Sequence, residues 1–189
     1  MPDGQAQPVT TRTAPRLPPD LVAVAMLCAA ALLFRLTSFV PAVVDTDEGL
    51  YMVQAREWLR GGWPLVAAWD MHPIGAPAMF AAAFLLFGVS VEAVRLLGVI
   101  CVAATACGLY AAARAAGAPR RIGLGAGVLY CAQSVLLGGL CTNTEILIAP
   151  FVTGAMAIGL RATARAMGPD PVAPGWGAVI GMGALIGPA

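Results

Sequence analysis

The stretch LVAVAMLCAAALLFRLTSFVPAVVDTDEGLY, residues 21–51, decides what kind of fold this chain has. Its first part, Leu21 to Val44, carries one charge, Arg35, and is long enough for a helix to cross the hydrocarbon core of a bilayer. Its second part begins with DTDE, residues 45–48, which places three carboxylates directly after the apolar run. Ionised side chains so close to hydrocarbon are costly unless they face water or a binding site. The stretch therefore predicts a membrane-spanning helix that leads into a polar functional loop.

The composition of the whole chain extends this prediction. The 189 residues are 59% hydrophobic, and the mean hydropathy is +0.81, which is more apolar material than a soluble domain of this size needs. The chain has no lysine, and its 11 arginines and 10 acids leave a formal net charge of +1. Because there is no strong positive charge, nucleic acid is not an expected partner. We predict an all-α, polytopic bundle of transmembrane helices that lies in a lipid bilayer.

Apolar runs along the chain predict where the membrane spans lie. The predicted spans are residues 21–43, 94–113, 122–141, 146–160 and 176–189. Residues 1–19 are polar and rich in proline, and they form a predicted cytoplasmic tail. The apolar stretch Ile74–Gly88 is about 15 residues long, which is short for a span and indicates an interfacial or re-entrant helix.

The arginines orient these spans. If Ile74–Gly88 does not cross the membrane, the arginines of the tail and of the loops 114–121 and 161–175 all lie on one side. The acidic segment 44–92 then lies on the other side together with Glu145. If it does cross, the basic loops fall on opposite faces, contrary to the positive-inside rule. We therefore predict a cytoplasmic N-terminus and an extracytoplasmic loop 44–92.

The polar residues on the predicted outer face come from three separate places in the sequence and could converge on one site. They are Asp45, Asp47, Glu48, Asp70, His72 and Glu145.

Within the outer loop, the sequence predicts an amphipathic helix at the membrane surface. Asp45 with Glu48 three residues later forms the capping-box pattern that opens a helix, and Gly61-Gly62 ends it. The predicted apolar face consists of Tyr51, Ala55, Trp58 and Leu59. The charged residues that lie off this face are Glu48, Arg56, Glu57 and Arg60. Asp47 falls in the first helical turn, where the helix dipole favours an ionised carboxylate.

The segments of this loop, in their order, resemble a known class of membrane enzymes. The loop contains DTDEGLYMVQAREWLRGG (45–62) and WDMHPIG (69–75), and a short apolar helix ending in LFG (86–88) leads to EAVRL (92–96). This series is similar to the N-terminal part of a GT-C glycosyltransferase of the protein-mannosyltransferase-like and aminoarabinose-transferase-like group. The segment WDMHPIG departs from the family pattern, because it has one proline where two are usual and His72 where a lysine is common. The resemblance covers residues 20–160.

The resemblance implies both an architecture and an activity. Residues 20–189 would be a truncated N-terminal part of a GT-C transmembrane domain, inactive by itself. The parent enzyme would transfer a sugar, with inversion, from a polyprenyl-phosphate donor to an extracytoplasmic lipid, glycan or protein acceptor. The resemblance places the general base on Asp47, because the attacking hydroxyl must lose its proton to a nearby carboxylate. Asp45 would be the helix cap. Glu48, the second catalytic candidate, could bind the acceptor or a metal, or only complete the capping box.

Three further outer-face residues are candidates for a metal or for the substrate. Asp70 and His72 offer an oxygen and a nitrogen ligand two residues apart, and they could hold a divalent cation that offsets charge on the departing phosphate. Alternatively, they could hydrogen-bond the substrate or the loop backbone. Glu145 could orient the acceptor or ligate the same cation. It could also be a simple carboxylate at a helix start, capped by Asn143 or Thr144.

Two arginines and a tyrosine complete the set of expected substrate-binding residues. Arg35 and Arg95 lie within or next to predicted spans, where an arginine indicates function, and they could bind the lipid phosphate bidentately. Alternatively, each could snorkel to the outer interface. Tyr51 lies three residues after Glu48, the last residue of the acidic motif, and is the remaining candidate for a substrate contact.

Two other functions fit the same sequence. In a transporter or lipid flippase component, Arg35 and the acids would line a pathway through the membrane. Against this, the acids cluster in one outer loop instead of at mid-membrane, where transporters bind their substrates. The other alternative is a membrane fragment without catalytic activity.

Overall fold

The computed structural model describes residues 18–40, 45–71, 73–136 and 140–187. His72 and residues 1–17 of the predicted tail lie outside these described residues. The described segments form the helices α1 (Pro19–Arg35), α2 (Thr46–Leu59), α3 (Gly75–Phe87), α4 (Val91–Ala115), α5 (Arg120–Leu136), α6 (Thr144–Ala166) and α7 (Trp176–Ile186), with a 3-10 helix, Leu36–Phe39, continuing α1. No strand occurs in these segments. The predicted all-α fold is therefore confirmed.

Three helical segments in the described part of the chain are long and apolar enough to cross a membrane. They are Pro19–Phe39, Val91–Ala115 and Thr144–Ala166, with 21, 25 and 23 residues, and they overlap the first, second and fourth predicted spans. The α3 helix is apolar but has only 13 residues, so it is about 20 Å long. This is well short of the roughly 30 Å of hydrocarbon that a span must cross. The interfacial or re-entrant placement of Ile74–Gly88 stays a prediction.

Helix α4 lies at the centre of the bundle and contacts α1, α3, α5 and α6. Its residues Val94, Val102 and Ala106 are fully buried, as expected for a helix surrounded by other helices. Helix α5 approaches closely at Gly127, where an added Cβ would lie 2.6 Å from Leu27 Cδ2 and 3.0 Å from the Ala106 carbonyl oxygen. Small residues at such contacts let membrane helices pack backbone to backbone.

The α2 helix begins at the predicted cap and ends at the predicted glycines, but Glu48 does not complete the predicted capping box, because its Oε1 accepts from Arg95 and from the Thr142 N–H instead. Asp45 caps it, because its Oδ1 accepts the backbone N–H groups of Asp47 at 2.9 Å and of Glu48 at 3.4 Å. At the other end, Gly61 has a φ of +94°, and its N–H donates to the Trp58 carbonyl at 3.0 Å. This left-handed conformation suits glycine and stops the helix.

The predicted apolar face of α2 is wrong at two positions. Glu48 was expected to lie off this face but is fully buried, and Gln54, which the pattern did not include, is 1% exposed. The reason is that the buried polar side chains find internal partners: Gln54 Nε2, for example, donates to the Ala68 carbonyl at 3.3 Å. Such contacts with distant residues override the hydrophobic periodicity.

A polar contact closes the bundle at the end away from α2 and α3. The Tyr110 hydroxyl of α4 donates to Asp20 Oδ1 at 2.6 Å, and Arg120 Nε of α5 donates to the same oxygen at 3.0 Å. The contact ties the start of α1 to the end of α4 and the start of α5.

Candidate functional site

A buried ion pair joins α2 to α4. Arg95 Nη1 donates a hydrogen bond to Glu48 Oε1, and neither side chain is exposed. The same Glu48 oxygen accepts the backbone N–H of Thr142 at 2.8 Å, and Arg95 Nη1 also donates to the Leu140 carbonyl at 3.0 Å. The pair therefore holds both helices against residues 140–142, which we call the 140–142 segment.

Arg35 brings α1 into the same polar network. It is fully buried, and its Nη2 donates to the Cys141 carbonyl at 3.3 Å. Thr142 Oγ1 donates to the Val94 carbonyl of α4 at 3.0 Å. Gly98 makes room for these contacts, because an added Cβ would lie 2.6 Å from Thr142 Oγ1 and 2.9 Å from Arg35 Nη2. Each residue of the 140–142 segment is thus bonded to α1, α2 or α4.

For Arg35 and Arg95 the sequence left two alternatives, binding of the lipid phosphate and snorkelling to the membrane interface. The network excludes only the second. Arg35 and Arg95 are each 0% exposed, so neither snorkels to the interface in this structure. Arg95 instead pairs with Glu48 inside the protein. Binding of a lipid phosphate by either guanidinium stays a prediction.

A second polar group surrounds the hydroxyl of Tyr51. This hydroxyl lies 3.2 Å from Thr144 Oγ1, which joins α2 to the first residue of α6. The pKa of the Tyr51 phenol is raised by burial and, to a lesser extent, by repulsion between the phenolate and Asp47, Asp70 and Glu145. The structure therefore brings these three carboxylates, from three separate places in the sequence, within electrostatic range of one hydroxyl.

The three carboxylates differ in their access to a ligand. Asp47 and Glu145 are exposed, whereas Asp70 is 9% exposed. Asn143 caps α6, because its Oδ1 accepts the backbone N–H of Ile146 at 3.3 Å. Glu145 lies in the first turn of that helix, as expected for a simple helix-start carboxylate, and its role toward an acceptor or a cation stays a prediction. Asp47 and Glu145 are therefore open to an incoming ligand and are not needed to cap their helices.

An apolar cavity of about 250 Å³ opens beside the Tyr51 and Thr144 hydroxyls. Its walls come from α3 and α6, and they include Ala76, Met79, Leu147, Ile148 and Phe151. The edge-to-face contact of Tyr51 with Phe80, with ring centroids 6.0 Å apart, holds the tyrosine against α3. The cavity thus combines hydrocarbon walls with two hydroxyl groups at one end.

The predicted metal site depends on a residue that the structure does not describe. His72 lies outside the described residues, so the pairing of Asp70 with His72 around a cation stays a prediction. Within the described residues, no three histidine, cysteine or acidic side chains form a group that could hold a metal ion.

Sequence reasoning did not identify Thr142, Gly98 or Thr144 as parts of the site. Thr142 and Gly98 act through contacts with residues far away in the chain, and neither belongs to a recognisable motif. Only their positions in the sequence could have indicated these residues. Gly98 follows Arg95 by about one helical turn, and Thr142 and Thr144 lie just before Glu145.

A comparison with known protein families agrees with the helical membrane architecture described above. A family model described as dolichyl-phosphate-mannose-protein mannosyltransferase matches residues 71–187, more than half of the chain. The matched part includes Arg95, the 140–142 segment and Glu145, and it begins after the acidic motif at 45–48. Comparisons with curated proteins and with solved structures give no match. With three membrane-length apolar helices among its described residues, the chain belongs to the dolichyl-phosphate-mannose-protein mannosyltransferase family of integral membrane glycosyltransferases.

Proposed function

We propose that these residues form part of the active site of an inverting glycosyltransferase. The enzyme moves a sugar from a polyprenyl-phosphate donor to a hydroxyl of an extracytoplasmic lipid, glycan or protein acceptor. The observation that carries the proposal is that Tyr51 and Thr144, whose hydroxyls lie 3.2 Å apart, line an apolar cavity. Asp47, Asp70 and Glu145 contribute in addition to the raised pKa of the Tyr51 phenol. Membership of a mannosyltransferase family supports the transferase class.

The cavity suits a donor that is part lipid and part phosphate. Its walls are hydrocarbon, and its polar end carries the hydroxyls of Tyr51 and Thr144. Ligand sites commonly combine apolar walls with a few placed polar groups that fix orientation. Because the pKa of Tyr51 is raised, its phenol stays protonated at physiological pH and can donate a hydrogen bond to a phosphate oxygen.

Asp47 acts as the general base in this proposal. The acceptor oxygen attacks the anomeric carbon from the face opposite the phosphate, and Asp47 takes the hydroxyl proton. The bond between the anomeric carbon and the phosphate oxygen breaks, and its electron pair leaves with the polyprenyl phosphate. A single displacement of this kind inverts the anomeric centre. Asp47 is exposed and lies in the first turn of α2, so an acceptor can reach its carboxylate.

Glu48 positions the site in this proposal, since its carboxylate is buried against Arg95 and the Thr142 N–H. It is the neighbour of Asp47 in the chain, and Thr142 lies three residues before Glu145. The buried network thereby sets the position of the Asp47 loop relative to the Glu145 loop. Groups that react with a substrate need such support from locked neighbours.

A transfer assay with two donors tests the proposal. Membranes containing the gene product that carries this chain receive a radiolabelled sugar, attached either to polyprenyl phosphate or to a nucleotide. We expect label to reach an acceptor only from the lipid-linked donor. Movement of the lipid-linked sugar across sealed vesicles without transfer would contradict the proposal and favour the flippase alternative.

A further inference from the structure

A cavity that the proposed reaction does not use lies near the opposite end of α6. Its volume is about 470 Å³, and it lies between α4, α6 and α7. Two arginines of α6, Arg161 and Arg165, line it. Since 17 residues of α6 separate Thr144 from Arg161, the cavity is about 25 Å along the helix from the Tyr51 site.

Arg161 and Arg165 both line this cavity, so their two positive charges lie close together. Residues four apart share a helix face, so Arg161 and Arg165 lie one above the other. The ion pairs of the described residues are Arg60–Glu57, Arg95–Glu48 and Arg120–Asp20, and none of them involves either arginine. Two like charges one turn apart repel each other, and an anion placed between them would relieve that repulsion.

The other walls of the cavity are small and apolar. Ala111 of α4 and Gly177 and Ala178 of α7 leave space in front of the arginines, and Ile158 covers the side toward the middle of α6. Trp176, the first residue of α7, is 81% exposed. Tryptophan and arginine at the ends of apolar helices mark the headgroup level of a bilayer. We therefore expect the cavity to lie at the depth of the lipid phosphates.

From this combination, we propose that Arg161 and Arg165 bind the phosphate of an anionic phospholipid in the cavity between α4, α6 and α7. A guanidinium group can hold two phosphate oxygens at once, and basic pockets between membrane helices bind anionic headgroups. Ile158 and the small residues would contact the glycerol and the upper acyl chains. A free phosphate ion offers the same chemistry without the acyl chains. This site is independent of the sugar-transfer reaction.

Lipid titration of the purified protein in a neutral detergent, followed by native mass spectrometry, tests the proposal. Phosphatidylglycerol is the probe, and phosphatidylcholine and inorganic phosphate are compared with it. The variant Arg161→Gln with Arg165→Gln should bind phosphatidylglycerol about thirtyfold more weakly, as expected for two arginines near an anionic headgroup. The matched control, Arg114→Gln with Arg121→Gln, loses the same charge on the same predicted side, outside the cavity, and should bind normally.

A second variant tests whether binding needs the space of the cavity as well as the two positive charges. Ala111→Leu keeps both arginines but fills the space in front of them, so it should also weaken phosphatidylglycerol binding. Circular dichroism confirms that the variants compared are folded. Binding of inorganic phosphate as strong as that of phosphatidylglycerol, lost in the same variants, would support the phosphate site but identify the free ion as its ligand. Equal weakening in both double variants, or equal binding of phosphatidylcholine, would overturn the proposal.

Discussion

Glu48 of α2 and Arg95 of α4, 47 residues apart in the chain, form a fully buried ion pair, and the Glu48 oxygen also accepts the Thr142 N–H. Burying two charges is costly, and the cost is recovered only when the pair and its hydrogen bonds are complete. The pair therefore links the stability of the bundle to the placement of the acidic loop.

Breaking this pair should destabilise the protein strongly. Glu48→Gln leaves the Arg95 charge buried without its counter-charge, and the loss of one partner of a buried pair typically costs about 3–5 kcal/mol. The double variant Glu48→Gln with Arg95→Met should lose less than the sum of the two single variants, because neither charge remains. Unfolding of the purified protein in detergent, followed by circular dichroism, measures all three variants.

The exposed pair Glu57–Arg60 on the same helix is the control, with side chains 36% and 57% exposed. Breaking it by Glu57→Gln should change stability by about 0–1 kcal/mol. Similar losses for Glu48→Gln and Glu57→Gln would contradict the assignment of Glu48 to a buried positioning role.

Gly98 should not tolerate a side chain. In Gly98→Ala the new Cβ would lie 2.6 Å from Thr142 Oγ1 and 2.9 Å from Arg35 Nη2, so these two side chains must shift. Overpacking of this kind costs about 1–3 kcal/mol, and the shift should also lower sugar transfer. Gly125→Ala in α5 is the control, because nothing lies within 4 Å of its added Cβ. Alanine there should be neutral or stabilising. Equal melting temperatures for the two variants would show that Gly98 is not a tight contact.

Tyr51→Phe should weaken binding of the donor more than it affects folding. The change keeps the ring contact with Phe80 but removes the hydroxyl that lies 3.2 Å from Thr144 Oγ1. The loss of a hydrogen bond worth about 0.5–1.5 kcal/mol corresponds to a roughly two- to tenfold rise in the donor KM. An unchanged KM would argue against a contact between Tyr51 and the donor phosphate.

The Tyr51 hydroxyl should set an upper pH limit for donor binding. The pKa of the Tyr51 phenol is raised above the ordinary tyrosine value of about 10, so the phenol is protonated at any pH below that value. Any stability or binding that depends on the proton is therefore complete below that pH and is lost only as the pH rises through the raised pKa.

Local patterns in the sequence predicted the helices and the caps well. Long apolar runs require helices in a membrane, and Asp45 caps α2 because a side-chain oxygen can satisfy the first free N–H groups of that helix. The sequence also suggested that acidic residues from three separate stretches could meet, and Asp47, Asp70 and Glu145 all contribute to the raised pKa of Tyr51. The placement of these stretches on one side of a membrane stays a prediction.

Contacts between residues that lie far apart in the chain could not be predicted from the sequence. The hydrophobic pattern placed Glu48 on the open side of α2, but Arg95 and Thr142 draw it inward. A period of 3.6 residues identifies which side chains are apolar, but it does not show that a charged residue will find a partner 47 positions later. The tight fit at Gly98 depends in the same way on helix α1 and the 140–142 segment.

Cysteine labelling tests the predicted orientation in the membrane. In a variant without native cysteines, Val66→Cys should react with an impermeant thiol reagent in intact cells, and Met167→Cys should react only after lysis. Both positions are suitable because Val66 is 80% and Met167 is 82% exposed. Labelling of position 167 but not 66 in intact cells would reverse the topology.

Asp47→Asn should abolish sugar transfer while leaving the fold and donor binding intact. Asparagine keeps the size of the side chain but cannot take the acceptor's proton, and loss of a general base costs about 10²–10⁴-fold in rate. Asp45→Asn is the matched control two residues away, because its Oδ1 caps α2 and an asparagine oxygen caps almost as well. Single-turnover transfer in membranes, at saturating donor, separates the chemical step from binding. If the two variants lose activity equally, or Asp47→Asn turns over at a near-normal rate, then Asp47 is not the base. In that case Glu145, the other exposed carboxylate near Tyr51, becomes the residue to test.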